Sequence, residues 1–190
     1  GQSCDLDALL TVTSAYGVPL VTDSAEALGT LYKGRHAGRG ALMAALSFNG
    51  NKIITTSGGG ALLSDDEAWG ARARFLATQA RDPAPHYQHT TLGYNYRLSG
   101  ACAAIGSGQM QVLDQRIAQR RQVYSAYKTL LADAPVAFLD DQADSRETHW
   151  LSVALLNRHE PEVLRQALEA DNIEARPVWK PMHMQPLFAE

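Results

Sequence analysis

The first half of the chain alternates between helical and strand-like patterns of apolar residues. Leucines recur at helical spacing over residues 5–16, and Gly17 follows where a helix commonly ends. Short apolar runs then predict buried strands at residues 18–23 and 41–46. Helices that alternate with apolar strands are typical of an α/β fold with a largely parallel sheet, in which ligands bind at the carboxyl ends of the strands.

Caps and apolar spacing predict the remaining elements. A capping box at Ser64 predicts a helix that ends near residue 81, and Ser99 predicts the start of a second helix that continues to about residue 133. A polar connector over 135–146 and a strand over 149–156 follow. The last elements are a helix that begins at Pro161 and a strand over 173–179. The composition changes after residue 133. We therefore predict two domains, 1–133 and 134–190, and the second resembles part of a small α+β domain.

Composition and charge narrow the class of protein. The chain has 190 residues, of which 45% are hydrophobic, and its net charge is −3 with a pI near 6.1. This balance gives no electrostatic reason to expect nucleic acid or a membrane surface as a partner, and the apolar runs are shorter than the ~20 residues that cross a bilayer. Cys4 and Cys102 match neither a zinc pattern nor a redox pattern, so we expect a cytoplasmic protein with reduced thiols.

A hydroxyl and an amine follow the second predicted strand. Ser47 and Lys52 flank the run Phe-Asn-Gly-Asn, and a glycine run at 58–60 comes soon after. Small residues leave room for a bound molecule, and an amine at the edge of an apolar core can act as a nucleophile toward aldehydes. The alternative is a lysine that ends a strand in solvent. The glycines by themselves indicate a tight turn between strands.

Asp23 ends the first predicted strand, so we expect Asp23 and Lys52 at neighbouring strand ends. Two interpretations remain open here. The two residues could form an ion pair, or they could serve pyridoxal phosphate, which needs a lysine for a Schiff base and an acid that keeps the pyridine nitrogen protonated. His86 and His89 have an HxxH spacing, but no further ligand follows at metal-binding spacing, and we expect no metal site. The usual dinucleotide, nucleoside triphosphate and hydrolase motifs are absent from the sequence.

Three motifs occur in order along the chain: VTDSAEALG at 21–29, SFNGNK at 47–52 and GYNYRLS at 93–99. Together they resemble the DegT/DnrJ/EryC1/StrS family of sugar aminotransferases. The resemblance implies an α/β fold of type I, the aspartate aminotransferase-like architecture, of which this chain holds part of the mixed sheet of the large domain with its helices and part of the small C-terminal domain. The tail at 175–188 is similar to the branch that aminates C4 of UDP-4-keto-6-deoxy-N-acetylhexosamines for bacillosamine-type glycosylation.

The resemblance implies roles for residues at a cofactor site. Lys52 matches the lysine that forms the Schiff base with pyridoxal 5'-phosphate and moves the proton. Asp23 matches the acid that pairs with the pyridine nitrogen, and Ser47 matches a hydroxyl that binds the phosphate. Glu26 occupies a position, often Gln or His, that hydrogen-bonds the phenolic oxygen of the cofactor. A carboxylate there would need a shared proton or a neighbouring cation.

The resemblance also implies substrates and a partner. Asn95 matches a residue that reaches the cofactor phosphate of a neighbouring subunit, so we expect a homodimer with a shared active site. By analogy, Lys180 and His183 would line the pocket for the UDP-linked keto sugar, and L-glutamate would be the amino donor. Under this hypothesis the protein is a pyridoxal phosphate-dependent sugar-nucleotide aminotransferase.

Alternatives to this enzyme remain. The chain starts at Gly1 without a methionine, and the phosphate-binding turn that family members carry upstream does not occur in it. We therefore expect a piece of a longer protein, which by itself would bind the cofactor poorly and would not turn over. A catalytically incompetent truncated paralogue, or an assembly partner of a complete subunit, is the main alternative. Related dehydratases carry histidine in place of the lysine, so Lys52 argues against that reaction, and a plain α/β binding module is the third alternative.

Overall fold

The computed structural model describes residues 1–158 and 160–188. Its elements, in chain order, are α1 (Leu6–Ala15), β1 (Val21–Asp23), β2 (Leu31–Tyr32), β3 (Arg35–His36), β4 (Met43–Ser47), β5 (Gly60–Leu63), α2 (Glu67–Ala77), α3 (Gly100–Met110), α4 (Leu113–Leu130), β6 (Val136–Phe138), β7 (Ser145–Arg146), β8 (Ala154–Leu156) and α5 (Pro161–Ala170). No helix in the described ranges is long and apolar enough to cross a membrane.

The chain forms two compact units that alternate along the sequence. The first consists of Gly1–Tyr124 with Asp141–Leu151, and the second of Ser125–Asp140 with Ser152–Glu190. The two domains predicted at 1–133 and 134–190 stay a prediction.

The main sheet of the first unit has the strand order β1-β4-β5. Strands β1 and β4 are parallel, whereas β4 and β5 are antiparallel. The α/β prediction is therefore confirmed, but the sheet is mixed rather than largely parallel, because β5 returns directly after a loop instead of crossing over a helix. Ala44 and Leu46 of β4 are buried on one side of this sheet.

The β4–β5 pairing brings a glycine beside the end of β4. Gly60 lies opposite Ser47 in the register, and a Cβ at Gly60 would overlap the carbonyl oxygen of Leu46. The residue must therefore be glycine for β5 to lie this close to β4. The glycine run at 58–60 was predicted to form a tight turn between strands. Instead, Gly60 is the first residue of β5, and a longer loop joins β4 to it.

We expect Gly60→Ala to lower the free energy of unfolding by about 1–3 kcal/mol, because the added methyl forces the strands apart beside Ser47. Urea denaturation of the full-length protein that carries this sequence would measure the change. Gly58→Ala is the matched control, since a Cβ at Gly58 meets no atom within 4 Å. Equal stabilities of the two variants would contradict the role of Gly60.

Helices α1 and α5 match their predictions. The Asp5 carboxylate accepts the N–H of Ala8 at 3.0 Å and caps α1, and Gly17 has a φ of +63° just after its end. Pro161 occupies the first turn of α5, where its missing N–H has no intrahelical partner to lose.

Helix α2 is shorter than predicted at both ends. Asp66, and not Ser64, is its N-cap and accepts the N–H of Ala68 at 2.8 Å, because the Ser64 hydroxyl donates to the carbonyl of Leu42. The helix ends before the left-handed residues at 79–80. The predicted end near residue 81 was therefore wrong.

The single helix predicted over 99–133 is two helices, α3 and α4, separated by residues 111–112. Ser99 caps α3 as predicted and accepts the N–H of Cys102 at 3.2 Å. Gly106 and Gly108 lie in the second half of α3, where glycine weakens a helix.

Two of the predictions after residue 133 were right in part, and the strand predicted over 173–179 was wrong. The connector at 135–146 contains β6 and β7, and β6 pairs antiparallel with β8 in the second unit. The strand predicted over 149–156 begins only at Ala154, because His149 has a left-handed φ of +48°. No strand forms at 173–179, where Pro177 has no N–H to donate to a ladder.

Candidate active site

Two polar residues meet at the carboxyl edge of the main sheet. Asp23 ends β1 and lies opposite Ala45 of β4, and Ser47 follows two positions later on the same face. The Asp23 carboxylate accepts the N–H of Ala25 at 3.1 Å, and the Ser47 hydroxyl accepts the N–H of Asn49 at 3.3 Å. Both side chains thus lie where parallel strands end, the usual place for ligands.

Lys52 lies in the loop after β4 and forms an ion pair with Glu26. Its Nζ donates to Glu26 Oε1 at 3.1 Å, and 13% of the lysine side chain and 37% of the glutamate side chain are exposed. Among residues 1–158 and 160–188, no ion pair joins Asp23 to Lys52. The interpretation of Asp23 and Lys52 as an ion pair was therefore wrong.

The Lys52 amine also contacts an aromatic ring that the sequence did not reveal. Its Nζ lies 4.5 Å from the centroid of the Trp150 ring, and the indole N–H donates to the carbonyl of Asn51 at 2.8 Å. Trp150 is only 3% exposed. No local pattern could have found this contact, because Trp150 is distant in the sequence; its place inside the strand predicted over 149–156 was the only signal.

The residues around Trp150 are held by polar and aromatic contacts. The His149 ring stacks on Tyr124 with a centroid distance of 3.7 Å, and its Nε2 lies 2.6 Å from Asp141 Oδ1. Arg121 donates to the other oxygen of Asp141 at 2.8 Å. Burial by itself would raise the pKa of Asp141, but the hydrogen bonds from Arg121 and His149 outweigh it and hold that pKa below its ordinary value.

Asp141, Glu147 and His149 form a cluster of possible metal ligands whose atoms lie within 4.8 Å of one another. The three residues form no recognisable metal-binding spacing in the sequence, so this cluster was not predicted. Arg121 already donates to Asp141 and to the carbonyl of Glu147, and Glu147 Oε1 accepts the N–H of Gln142. Because these groups already bind one another and a guanidinium, we interpret the cluster as structural.

The histidines of the HxxH spacing have other partners. His86 Nε2 lies 3.2 Å from the side-chain oxygen of Gln88, and His89 Nδ1 donates to the carbonyl of Gln79 at 2.9 Å. Both contacts are with groups of the same loop region, so these rings help to order the loop after α2.

Asn95 is exposed and lies beside the end of α2, where it forms a bridge with Thr78. Gly93 makes this close approach possible, because a Cβ there would overlap the backbone at residues 79–80. The flanking Tyr94 and Tyr96 rings stack on each other at 4.9 Å. The loop therefore presents Asn95 and an aromatic pair at the surface.

Lys180 and His183 lie in the second compact unit and are exposed. His183 is part of a short 3-10 helix, Met182–Met184, and Gln185 donates to the carbonyl of Lys180 at 3.2 Å. Their role at a substrate remains a prediction.

Comparison with known proteins gives the same family as the motifs. The model of the "DegT/DnrJ/EryC1/StrS aminotransferase family" matches residues 1–190 of this chain. The chain belongs to this family. The "Putative pyridoxal phosphate-dependent aminotransferase EpsN" of Bacillus subtilis is 50% identical over 190 residues, which are 99% of this chain and 49% of that protein. GDP-perosamine synthase of Escherichia coli O157:H7 is 33% identical and covers 100% of this chain and 52% of its own length.

A solved structure of a family-like fold agrees with this assignment. The crystal structure of DesV from S. venezuelae in complex with a ketimine intermediate superposes with a TM-score of 0.86 at 30% identity, over 100% of this chain and 51% of that one. The prediction of a partial aminotransferase fold is therefore confirmed. The chain spans about half the length of the curated relatives that it matches.

Proposed function

We propose that the full-length protein is an aminotransferase that uses pyridoxal 5'-phosphate to move an amino group from L-glutamate to a nucleotide-linked keto sugar. The observation that carries this proposal is the amine of Lys52, which is largely buried after β4 and lies 3.1 Å from Glu26. When bound, pyridoxal phosphate supplies an aldehyde that a lysine amine can attach to and a ring that withdraws electrons from the donor's Cα. Family membership supports the cofactor.

Three polar side chains of the first unit have the functional groups that this cofactor needs. A primary amine, a hydroxyl and a carboxylate are the three groups that an aldehyde, a phosphate and a pyridine nitrogen require. Lys52, Ser47 and Asp23 supply them, and the latter two share one face of the sheet. Asp23 would keep the ring nitrogen protonated, and Ser47 would donate to the phosphate.

Glu26 fits the position beside the phenolic oxygen of the cofactor for an electrostatic reason. Two anions in contact repel each other unless a proton or a cation lies between them. The nitrogen of Lys52, whenever it is protonated, is such a cation, and it lies 3.1 Å from Glu26. We infer that Glu26 also holds the Lys52 amine near the place where it accepts a proton.

In catalysis, the Lys52 amine would take the proton from the Cα of glutamate. Later it would deliver a proton to the carbon of the sugar that receives the amino group. A positioned general base of this kind contributes about 10²- to 10⁴-fold in rate. Its low exposure keeps bulk water from the amine while the proton moves.

We propose a cytoplasmic homodimer in which a second copy contributes Asn95. The support is that Asn95 is exposed on a loop with two tyrosines whose rings stack, because aromatic residues are enriched at protein interfaces. Residues 1–133 would belong to the cofactor-binding large domain and 134–190 to the small domain.

For the substrate we propose a UDP-4-keto-6-deoxy-N-acetylhexosamine, with Lys180 and His183 at its pocket. A lysine is suited to a diphosphate as a point charge. The relatives support a nucleotide sugar, and one of them is named for a GDP-linked sugar. Assays with UDP-linked and GDP-linked 4-keto sugars, each at several concentrations, would decide between the two nucleotides.

The decisive experiment uses the full-length protein. Pyridoxal phosphate should produce an absorption band at about 410–430 nm, and borohydride should then fix the cofactor to the peptide that contains Lys52. Glutamate and the keto sugar should yield 2-oxoglutarate and the amino sugar. No band in the full-length protein would contradict the proposal, whereas a band without turnover of any keto sugar would favour the incompetent paralogue or assembly partner.

A further inference from the structure

We propose that Trp150 is a positioning residue for Lys52. Its ring contacts the Lys52 amine, and its indole N–H donates to the carbonyl of Asn51, the residue before Lys52. This inference rests on the proposed function, because it concerns the amine that would act there. None of the three motifs that mark the family contains Trp150.

The first contact is between the ring face and the ammonium. Lys52 Nζ lies 4.5 Å from the ring centroid, within the ~6 Å over which a cation is attracted to an aromatic face. The ring is 3% exposed, so water competes little for this contact. Glu26 holds the same amine at 3.1 Å. Two contacts of different chemistry thus restrict where the amine can lie.

The second contact fixes the backbone next to Lys52. The indole N–H donates to the carbonyl of Asn51 at 2.8 Å, and the N–H of Lys52 donates to the carbonyl of Asn49 at 3.0 Å. A turn that two hydrogen bonds hold has fewer conformations than a free loop. The start of the lysine side chain is therefore fixed as well as its end.

Trp150 is itself held in place. The preceding residue, His149, stacks on Tyr124 and contacts Asp141, and Arg121 donates to the carbonyl of Glu147. These contacts lie within three residues of Trp150 and hold the backbone that carries the indole, while its burial and its N–H donation to Asn51 hold the ring itself. The contacts around Asp141 thus help to hold the segment from which Trp150 reaches Lys52.

The test compares Trp150→Leu, which removes the ring and the N–H, with Trp150→Phe, which keeps a ring face and removes the N–H. Trp69→Leu is the matched control, since Trp69 lies on α2 and is 45% exposed. All variants are made in the full-length protein. Their circular dichroism and melting temperatures establish that each is folded, and Trp150→Met replaces Trp150→Leu if the latter does not fold.

The first measurement needs no turnover. Cofactor-free protein is treated with a limiting amount of an amine-acylating reagent, and peptide mass spectrometry gives the labelling of Lys52 relative to Lys33, an exposed lysine paired with Asp7. A general loss of structure would raise the labelling of both lysines and would leave their ratio unchanged. We expect Trp150→Leu to raise the ratio about three- to tenfold, Trp150→Phe to raise it less than about twofold, and Trp69→Leu to leave it unchanged. A wild-type ratio in Trp150→Leu, or equal ratios in Trp150→Leu and Trp150→Phe, would overturn the proposal.

The second measurement follows attachment of pyridoxal phosphate by the band at about 410–430 nm. We expect attachment in Trp150→Phe to be about two- to tenfold slower than in wild type, because the Asn51 carbonyl loses its donor. Wild-type attachment in that variant would overturn the role of the N–H. If wild type itself forms no band, the proposed function fails, while the labelling ratio still decides whether Trp150 positions Lys52.

Discussion

Lys52→Arg in the full-length protein is expected to lower transamination about 10⁴-fold or more and to abolish covalent attachment of the cofactor. Arginine keeps the positive charge that pairs with Glu26 and contacts the Trp150 ring. It cannot act as a base or as a nucleophile, because it does not lose its proton in proteins. Release of 2-oxoglutarate from glutamate and borohydride fixation of the cofactor would measure both effects.

Lys33→Arg is the matched control for this substitution. Lys33 is exposed and pairs with Asp7 at 2.6 Å, so the same chemical change there should leave rate and attachment unaltered. If Lys52→Arg kept the absorption band, or more than about a hundredth of the wild-type rate, Lys52 would not be the residue that attaches to the cofactor and moves the proton.

The order of elements and the edge of the sheet could be predicted because they depend on local patterns. Apolar runs before Asp23 and Ser47 predicted two strands that end together, and the parallel register of β1 and β4 confirms it. Family motifs pointed to Lys52 and Glu26 separately. Their ion pair could not be predicted from sequence, because it depends on how two loops approach each other.

Other features depend on contacts between distant residues or on backbone conformations without a clear sequence signal. Trp150 approaches Lys52 from the far part of the chain, and periodicity has no information about such a contact. The break between α3 and α4 interrupts an apolar stripe that continues through it. The left-handed backbone at His149 shortened a predicted strand, and few residues other than glycine adopt it, so the apolar pattern gave no sign of it.

Asp23→Asn is expected to lower the rate of transamination about 10²- to 10³-fold while the protein stays folded. An amide at this position can still accept the N–H of Ala25, which the carboxylate accepts at 3.1 Å, so the loop after β1 should keep its conformation. The amide has no negative charge with which to hold a ring nitrogen protonated, and one pKa unit of that nitrogen is worth about 1.4 kcal/mol. Single-turnover kinetics with glutamate would measure the loss.

Attachment of the cofactor separates this role from simple binding. If Asp23 acts on the ring nitrogen, Asp23→Asn should still form the bond between Lys52 and the cofactor and lose the later proton transfer. Asp65→Asn, a control at an exposed carboxylate paired with Arg39 at 3.8 Å, should change neither. A wild-type rate of proton transfer in Asp23→Asn would exclude an electrostatic role for Asp23, because the amide preserves the shape of the side chain and removes only its charge.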